Sequence, residues 1–526
     1  MTTEAATVLL ETFRKHLDNP ICTVDDNFYS AGGDSLIALR VVAEAVQRGV
    51  GIELQDILYF PTVRELVDAL NDADRPAPGT PAVSAFALLD PWDRELVPAG
   101  VVDAGPAPAL AMGLLYLCEL SDDPGLHQDL VGFEVRGRFH EPTLRESLAW
   151  LCARHEALRS FFDLTTLSVA ARMVCAEVEF PVEVVRLDTD DRAKADTLVE
   201  RWRADQLRRP MDWGQAPLGR CHIVAQPGSF RFSLVVHHSI ADGWSLARLV
   251  VELLTHYDAT LAGRPADLGA PPVEGLRTFV WQERAAIDAP EAAAYWLERA
   301  TVPPLVLASD RFGQVPDQRA EVGFTIAPAL LAGLRESALA AQTPLKSLVL
   351  AAHLRALGEW AGRTDNVVTG LVTNGRPEID GADLLVGLFL NTVPTRLDSL
   401  TGTWAELAAR TLRAEQEGTP YRRFPLSEIE RRLGHPAFDV AFNFTHFHAY
   451  AELAQLTEIE VGSWWTTDKN SLPMMVDFAI DSPGPNTSVS VSFDPALIST
   501  VEVERYADLY LATLRTAVDP HGKATP

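Results

Sequence analysis

The sequence predicts a multidomain chain in which a small all-α helical bundle precedes a larger α/β unit. Three observations carry this: helical spacing of apolar residues over 1–71, a proline-rich break over 72–97, and strand-like alternation interleaved with helical stretches over 98–526.

In the first unit Leu9, Phe13 and Leu17 fall at i, i+4 and i+8, and Leu36, Leu39 and Val46 repeat on one stripe of a second helix. A third helix starts at Thr62, where Thr62 and Glu65 have the spacing of a capping box and Leu66 and Leu70 continue the apolar face. Between the first two helices lies DDNFYSAGGDSL, whose glycines halt any helix until Asp34 and Ser35 restart one.

The break contains Pro76, Pro78, Pro81 and Pro91 with little periodicity, as expected of a semi-rigid linker. Beyond it, segments such as VGFEVRG and RFSLVVHH alternate with period two, and TLRESLAWLCARHEALRSFF reads as helical.

A formal net charge of −27, with 72 acidic against 45 basic residues, argues against a nucleic-acid or anionic-membrane surface. Cys22, Cys118, Cys152, Cys175 and Cys221 show no Cys-x-x-Cys pairing, and neither a secretory signal nor a membrane-spanning run is visible. A cytoplasmic protein is the expectation.

Ser35 sits where a glycine-rich loop meets a helix start, a placement that exposes a hydroxyl and suits a modification site. A serine or aspartate there also serves simply as a helix cap. A GDSL-type hydrolase would use the serine as a nucleophile, but no histidine follows an aspartate at the Asp-x-x-His spacing of that family. The helices together with DNFYSAGGDSL resemble the peptidyl carrier domains of nonribosomal peptide synthetases over residues 3–72. That resemblance implies 4'-phosphopantetheine attached covalently to Ser35. Asp34 departs from the histidine that often precedes this serine.

In RFSLVVHHSIADGW, Phe232, Leu234 and Val236 alternate with Arg231, Ser233 and Val235, so parity places His238 on the apolar face and His237 on the other. Gly243 breaks the chain before a helix with Leu246, Leu249, Val250 and Leu253 inward, and Asp242 is placed to cap it. A bare His-His pair is compatible with two structural histidines, and its diverging side chains argue against a metal site. The full HHSIADGW resembles the active-site motif of condensation domains, related in fold to chloramphenicol acetyltransferase. RHEALRSFF (154–162), FVWQER, AAYW, NGRPE (374–378) and VGLFLNTVPTR (386–396) resemble further segments of that family in its own order. Two acetyltransferase-like lobes follow by analogy, about 98–272 and 273–526, with a tunnel between them.

The resemblance implies amide-bond formation between a donor thioester on the carrier and the amine of an aminoacyl group on a downstream carrier. It assigns His238 to the reacting amine, with His237 and Asp242 completing the motif. Asp242 is expected to form a buried ion pair with Arg154, Arg159 being the other candidate. Gly243 would present its amide to developing negative charge, and Asn391 would add a polar contact. An upstream adenylation domain and a phosphopantetheinyl transferase are implied partners, the chain being a monomeric fragment of a larger synthetase. Two alternatives are a non-catalytic docking or recruitment module and epimerisation of the carrier-bound residue; Trp244-Ser245 and Asn391-Thr392 favour condensation over the latter. Arg248 lies off the apolar stripe, so it either reaches the tunnel near His238 or faces solvent beside Glu252.

Overall fold

The computed structural model describes residues 2–526 apart from 30, 34, 73–82, 273, 302–318, 468, 481–486 and 525–526; the side chains of Thr2, Thr3, Ser35 and Asp72 also lie outside the described set. Asp34 is therefore outside the described residues, and Ser35 is placed by its backbone.

The first unit contains α1 (Thr2–His16), α2 (Ser35–Gln47), α3 (Leu54–Tyr59) and α4 (Val63–Asp72) around Leu9, Phe13, Phe28, Val41, Val42 and Ile57. Thr62 and Glu65 exchange the two hydrogen bonds of a capping box, at 3.1 and 3.2 Å between backbone N–H and side-chain oxygen. Two points differ from the sequence expectation. The short α3 is additional, and the stripe of α2 divides: Leu39 is buried, Val46 is exposed, and Leu36 packs on the core of the second unit.

The described part of the expected linker, 83–97, is packed rather than extended. It contains α5 (Pro91–Leu96), Leu89 joins a small core with Ala104, Leu167 and Met173, and Asp93 accepts hydrogen bonds from the Ser168 amide and hydroxyl at 2.8 and 2.5 Å.

The N-terminal lobe continues with β1 (Val101–Pro106), α6 (Ala109–Leu120), β2 (Gln128–Arg136), α7 (Glu141–Arg154), β3 (Ser160–Asp163), β4 (Ala171–Cys175), β5 (Val182–Arg186), α8 (Arg192–Gln206), β6 (Gly219–Ala225), β7 (Ser229–His237) and α9 (Gly243–Leu261). The C-terminal lobe follows with α10 (Gly275–Asp288), α11 (Pro290–Arg299), β8 (Ala320–Ile326), α12 (Pro328–Ala340), α13 (Leu345–Trp360), β9 (Asp365–Asn374), β10 (Leu390–Ser399), α14 (Trp404–Gly418), α15 (Leu426–Leu433), β11 (Val440–His446), β12 (Glu460–Thr467), β13 (Met474–Ile480), β14 (Thr487–Phe493) and α16 (Thr500–Thr516).

The strands form a five-stranded sheet ordered β12-β2-β7-β6-β5, a six-stranded sheet ordered β10-β9-β11-β13-β14-β8, and a small sheet ordered β1-β4-β3. β12 thus crosses from the second lobe into the sheet of the first, so the two sequence ranges expected for the lobes are not fully separate in space. The preceding segment 448–459 lies along α9, where Asp258 accepts amide hydrogen bonds from Thr457, Glu458 and Ile459 at 2.9, 2.6 and 3.2 Å. This covering segment explains why α9 is buried around most of its circumference, including Arg248, Glu252 and Asp258. Periodicity alone marks such residues as polar and outward. In the C-terminal lobe α13 is similarly enclosed, with Leu350, Leu354 and Leu357 packed on Trp404, Tyr506 and Tyr510.

No helix among the described residues is long and apolar enough to cross a membrane.

Candidate active site

β7 delivers the two histidines to opposite environments, as strand parity requires. His237 is 2% exposed; its Nδ1 lies 2.8 Å from the Ser239 hydroxyl and its Nε2 3.7 Å from the Cys118 sulfur. Burial, and then the neighbouring His238, lowers its pKa to about 3, so it is neutral. His238 instead lines the cavity between the lobes, with a quarter of its side chain exposed. Its backbone N–H donates to the His127 carbonyl at 2.8 Å, and its Nδ1 lies 2.7 Å from Asp129 Oδ2.

Asp129 is a residue that motif reasoning misses, although a signal is present. It has the parity of Val131, Phe133 and Val135 on β2, a carboxylate interrupting an apolar face. Asp129 is registered opposite Val236, and antiparallel partners share a face, so its carboxylate is a diagonal neighbour of residue 238.

Asp242 caps α9, accepting from the Ser245 amide at 2.8 Å. The expected pairing with Arg154 or Arg159 is corrected by the structure. Asp242 Oδ1 meets Arg376 Nη2 at 2.9 Å, and its other oxygen accepts from the Phe389 amide at 3.2 Å. Burial opposes the charge on Asp242, but Arg376 and the Ser245 donors outweigh it and hold the carboxyl below its usual range. Arg376 lies inside the NGRPE segment just after β9, so this ion pair joins the two lobes.

Arg154 ends α7 and meets Glu252 at 2.6 Å. Glu252 lies ten residues beyond Asp242, about 15 Å along the axis of α9 at 1.5 Å per residue. Arg159 donates to the Cys152 and Cys175 carbonyls at 2.9 and 2.5 Å. Glu252 also holds His155 at 2.8 Å and Arg248 at 3.1 Å. Its burial favours protonation, yet His155, Arg154 and Arg248 together lower its pKa to about 2.

Arg248 pairs with Glu252 at i+4 as in the second expectation, but buried rather than facing solvent. Its side chain is 3% exposed and bridges Glu252 to Glu452, the latter at 2.6 Å, because segment 448–455 covers that side of α9. It does not line the cavity. Asn391 lines the cavity, but its side chain is committed to the fold. Its amide donates to the Arg422 and Phe424 carbonyls at 2.9 and 2.7 Å, and its oxygen accepts from Leu426 N at 3.2 Å. The expected free polar contact is replaced by a clamp on the start of α15.

Gly243 opens α9 at the cavity wall. A Cβ there would fall 2.9 Å from the tip of the Phe447 ring, so a larger residue would have to displace that ring where α9 meets the segment after β11. The cavity has a volume of about 1980 Å³ and runs continuously from His238 to the first unit, where Tyr29, Gly32, Gly33 and Leu36 line it. Gly32 has φ +101°, and a Cβ on Gly33 would lie 2.3 Å from the Phe28 ring, so both positions call for glycine. Arg40 on α2 pairs with Asp383 at 2.7 Å, and the Leu58 carbonyl accepts from Gln416 at 2.9 Å. The start of α2 is thereby held at one mouth of the cavity. Gly32, Gly33 and Leu36, on either side of Ser35 in the chain, thus border the same cavity as His238. Among the described residues no cluster of three or more His, Cys, Asp or Glu side chains is placed to hold a metal ion.

Glu283, in the FVWQER segment, is a further cavity residue without a role assigned from sequence. It accepts from the Ala109 amide at 2.9 Å, and burial raises its pKa to about 7.

Comparisons with known proteins agree with this architecture. The sequence profile described as condensation domain matches residues 110–522, and that described as phosphopantetheine attachment site matches residues 7–70. The chain is 36% identical over 464 residues to the AMB antimetabolite synthetase AmbE of Pseudomonas aeruginosa, a match covering 85% of this chain and 21% of AmbE. Over 521 residues it is 28% identical to the probable non-canonical nonribosomal peptide synthetase CymA of Salinispora arenicola, covering 94% of this chain and 6% of that protein. It therefore spans about a fifth or less of the length of these relatives.

Among solved structures, the fold is similar to the condensation domain of the Monacolin K polyketide synthase MokA, with a TM-score of 0.68 at 18% identity, covering 81% of this chain and 100% of that one. It is also similar to the first condensation domain of the CDA synthetase, with a TM-score of 0.66 at 17% identity, covering 80% and 98%. Fold, motif and profile converge: the chain belongs to the condensation-domain family and carries a phosphopantetheine attachment domain at its N-terminus.

Proposed function

We propose that the chain forms an amide bond between a donor acyl group carried at Ser35 and the α-amine of an aminoacyl group on a downstream carrier. The observation that carries this reading is the single cavity shared by His238 and the N-terminus of α2. When bound, 4'-phosphopantetheine supplies a thiol on which the donor is held as an activated thioester.

The residues of the chain then orient the reaction. His238 accepts the proton that the amine loses as its nitrogen bonds to the acyl carbon. The same proton passes to the departing thiolate as the carbon–sulfur bond breaks, so the exchange balances without ATP or an oxidant. Gly243 sits in the first turn of α9, where helix N-terminal donors favour the negative charge that develops on the carbonyl oxygen. Asp242 and Arg376 hold this turn against the second lobe. Apolar walls at Leu110, Leu114 and Trp464 shield the thioester from water.

The implied upstream partners are an adenylation domain, which charges the carrier, and a phosphopantetheinyl transferase. The unpaired cysteines and the coenzyme A origin of the arm support a cytoplasmic setting.

The test uses the holo chain, loaded on Ser35 with an aminoacyl group and mixed with a charged acceptor carrier. A dipeptidyl thioester on the acceptor supports condensation. Exchange of the donor α-proton without any acceptor indicates epimerisation instead, and the absence of either product leaves recruitment.

A further inference from the structure

We propose that Asp129 is a positioning residue for His238, holding its imidazole with Nδ1 protonated so that Nε2 is the nitrogen offered to the reacting amine. The inference deepens the condensation reading and rests on it for the reaction served, while the dyad itself is a property of the folded chain.

The first support is geometric. Nδ1 of His238 and Oδ2 of Asp129 are 2.7 Å apart. An ionised carboxylate only accepts, so the hydrogen in this contact belongs to the imidazole, and the neutral ring keeps its basic lone pair on Nε2. The second is placement. Asp129 is 9% exposed at an apolar-parity position of β2, where packing calls for a residue like Val131 or Phe133. Among the described residues it has no lysine or arginine in an ion pair; its partner is His238. The third is rigidity, since the His238 N–H to His127 carbonyl bond fixes the backbone of both residues across adjacent strands. An imidazole backed in this way by a carboxylate has a single tautomer and a stabilised imidazolium, the two properties a proton acceptor needs when an ammonium is to be deprotonated.

Among the described residues, the other ionisable groups around this part of the cavity are committed elsewhere or kept neutral. His127, beside it, is kept neutral by burial and by His238 and His237, with a pKa of about 3, and His237 is likewise neutral. From the side of β12, Lys469 pairs with Asp123 at 2.6 Å. From the segment covering α9, Tyr450 is raised by burial and stays a neutral phenol. Among the described residues His446, at the end of β11, Asp242, held by Arg376, and Glu283, which accepts from the Ala109 amide, also line the cavity.

The test combines histidine nitrogen NMR with single-turnover rates, using the holo chain loaded with an alanyl group and a glycyl N-acetylcysteamine thioester as acceptor. In the wild type the neutral His238 ring should appear as the Nδ1–H tautomer. Asp129→Asn removes the charge that stabilises the imidazolium. The ring titration and the acid limb of the rate profile should therefore shift together to lower pH, with the plateau rate falling about 10²-fold. Asp129→Leu, which completes the apolar face, should lose the tautomer preference while keeping its melting temperature, and Asp129→Glu should restore part of the rate.

An Asp129→Asn protein with unchanged ring titration, or with the wild-type rate and pH profile, overturns the proposal. If the ring behaves as expected but no dipeptide forms with any protein, the dyad stands and the condensation reading falls.

Discussion

Asp242 and Arg376 form a 2.9 Å ion pair between the two lobes, with each side chain only 1% exposed. The aspartate begins α9 and the arginine follows β9, so one contact fixes the active-site turn to the second lobe. Breaking it strands a buried charge, and Asp242→Ala or Arg376→Ala should each cost about 3–5 kcal/mol. Asp242→Leu combined with Arg376→Met should recover part of that loss, a non-additivity that a double-mutant cycle in urea would measure. The carboxyl of Asp242 titrates below its unfolded value of 3.8, so its contribution is complete above that value and is lost as pH falls through the folded pKa.

Glu252 offers a second stability test. Its folded pKa of about 2 lies below the ordinary value of 4.5, a depression that corresponds to about 3 kcal/mol. The contribution is present above pH 4.5 and disappears as pH falls towards 2. Glu252→Gln should flatten the acid limb of the stability curve, read by calorimetry between pH 2 and 6, a range set by those values.

Arg248→Gly should destabilise the chain by about 3–5 kcal/mol, because Glu252 would keep its buried charge with one partner fewer. The arginine is buried in the contact between α9 and segment 448–455 and does not line the cavity. Acceptor scope should therefore be unchanged at temperatures where the variant is folded, and a competition assay with acceptors of different side-chain size would check this.

The Arg40–Asp383 pair tests how the first unit is held. Its side chains are 27% and 10% exposed, so the interaction is screened and should contribute about 1 kcal/mol or less. Arg40→Glu should slow single-turnover condensation by about fivefold, more at low salt than at high, and Asp383→Arg should partly rescue it. Equal rates across the series would show that docking does not depend on this pair.

Variants of Ser35 and the histidines separate loading from chemistry. Ser35→Ala should abolish addition of the prosthetic group, read by intact mass. His238→Ala should leave loading untouched and reduce dipeptide formation about 10²–10⁴-fold, the usual range for a positioned proton acceptor. His237→Ala should act through packing, since the ring is buried against Ser239 and Cys118, and should lower the melting temperature more than it changes the pH profile.

Much of this protein is legible in short stretches of sequence, because their physics is local. The Thr62–Glu65 spacing specifies a capping box, glycines before Ser35 specify a loop-to-helix junction, and period-two alternation in β7 separates the environments of His237 and His238. The order of the motif segments identified the family. Tertiary structure alone decided which charges meet. Asp242 chose Arg376, 134 positions away, over the expected Arg154, and Arg154 turned to Glu252. Asn391 was drawn into clamping 422–426, and Arg248 was buried by a segment that returns from the second lobe. Asp129 met His238 through strand register. Helix and strand periods report only which way a side chain leaves its own element. The partner on the far side depends on how distant elements pack, and there burial forces each charge onto whichever counter-charge the fold brings within reach.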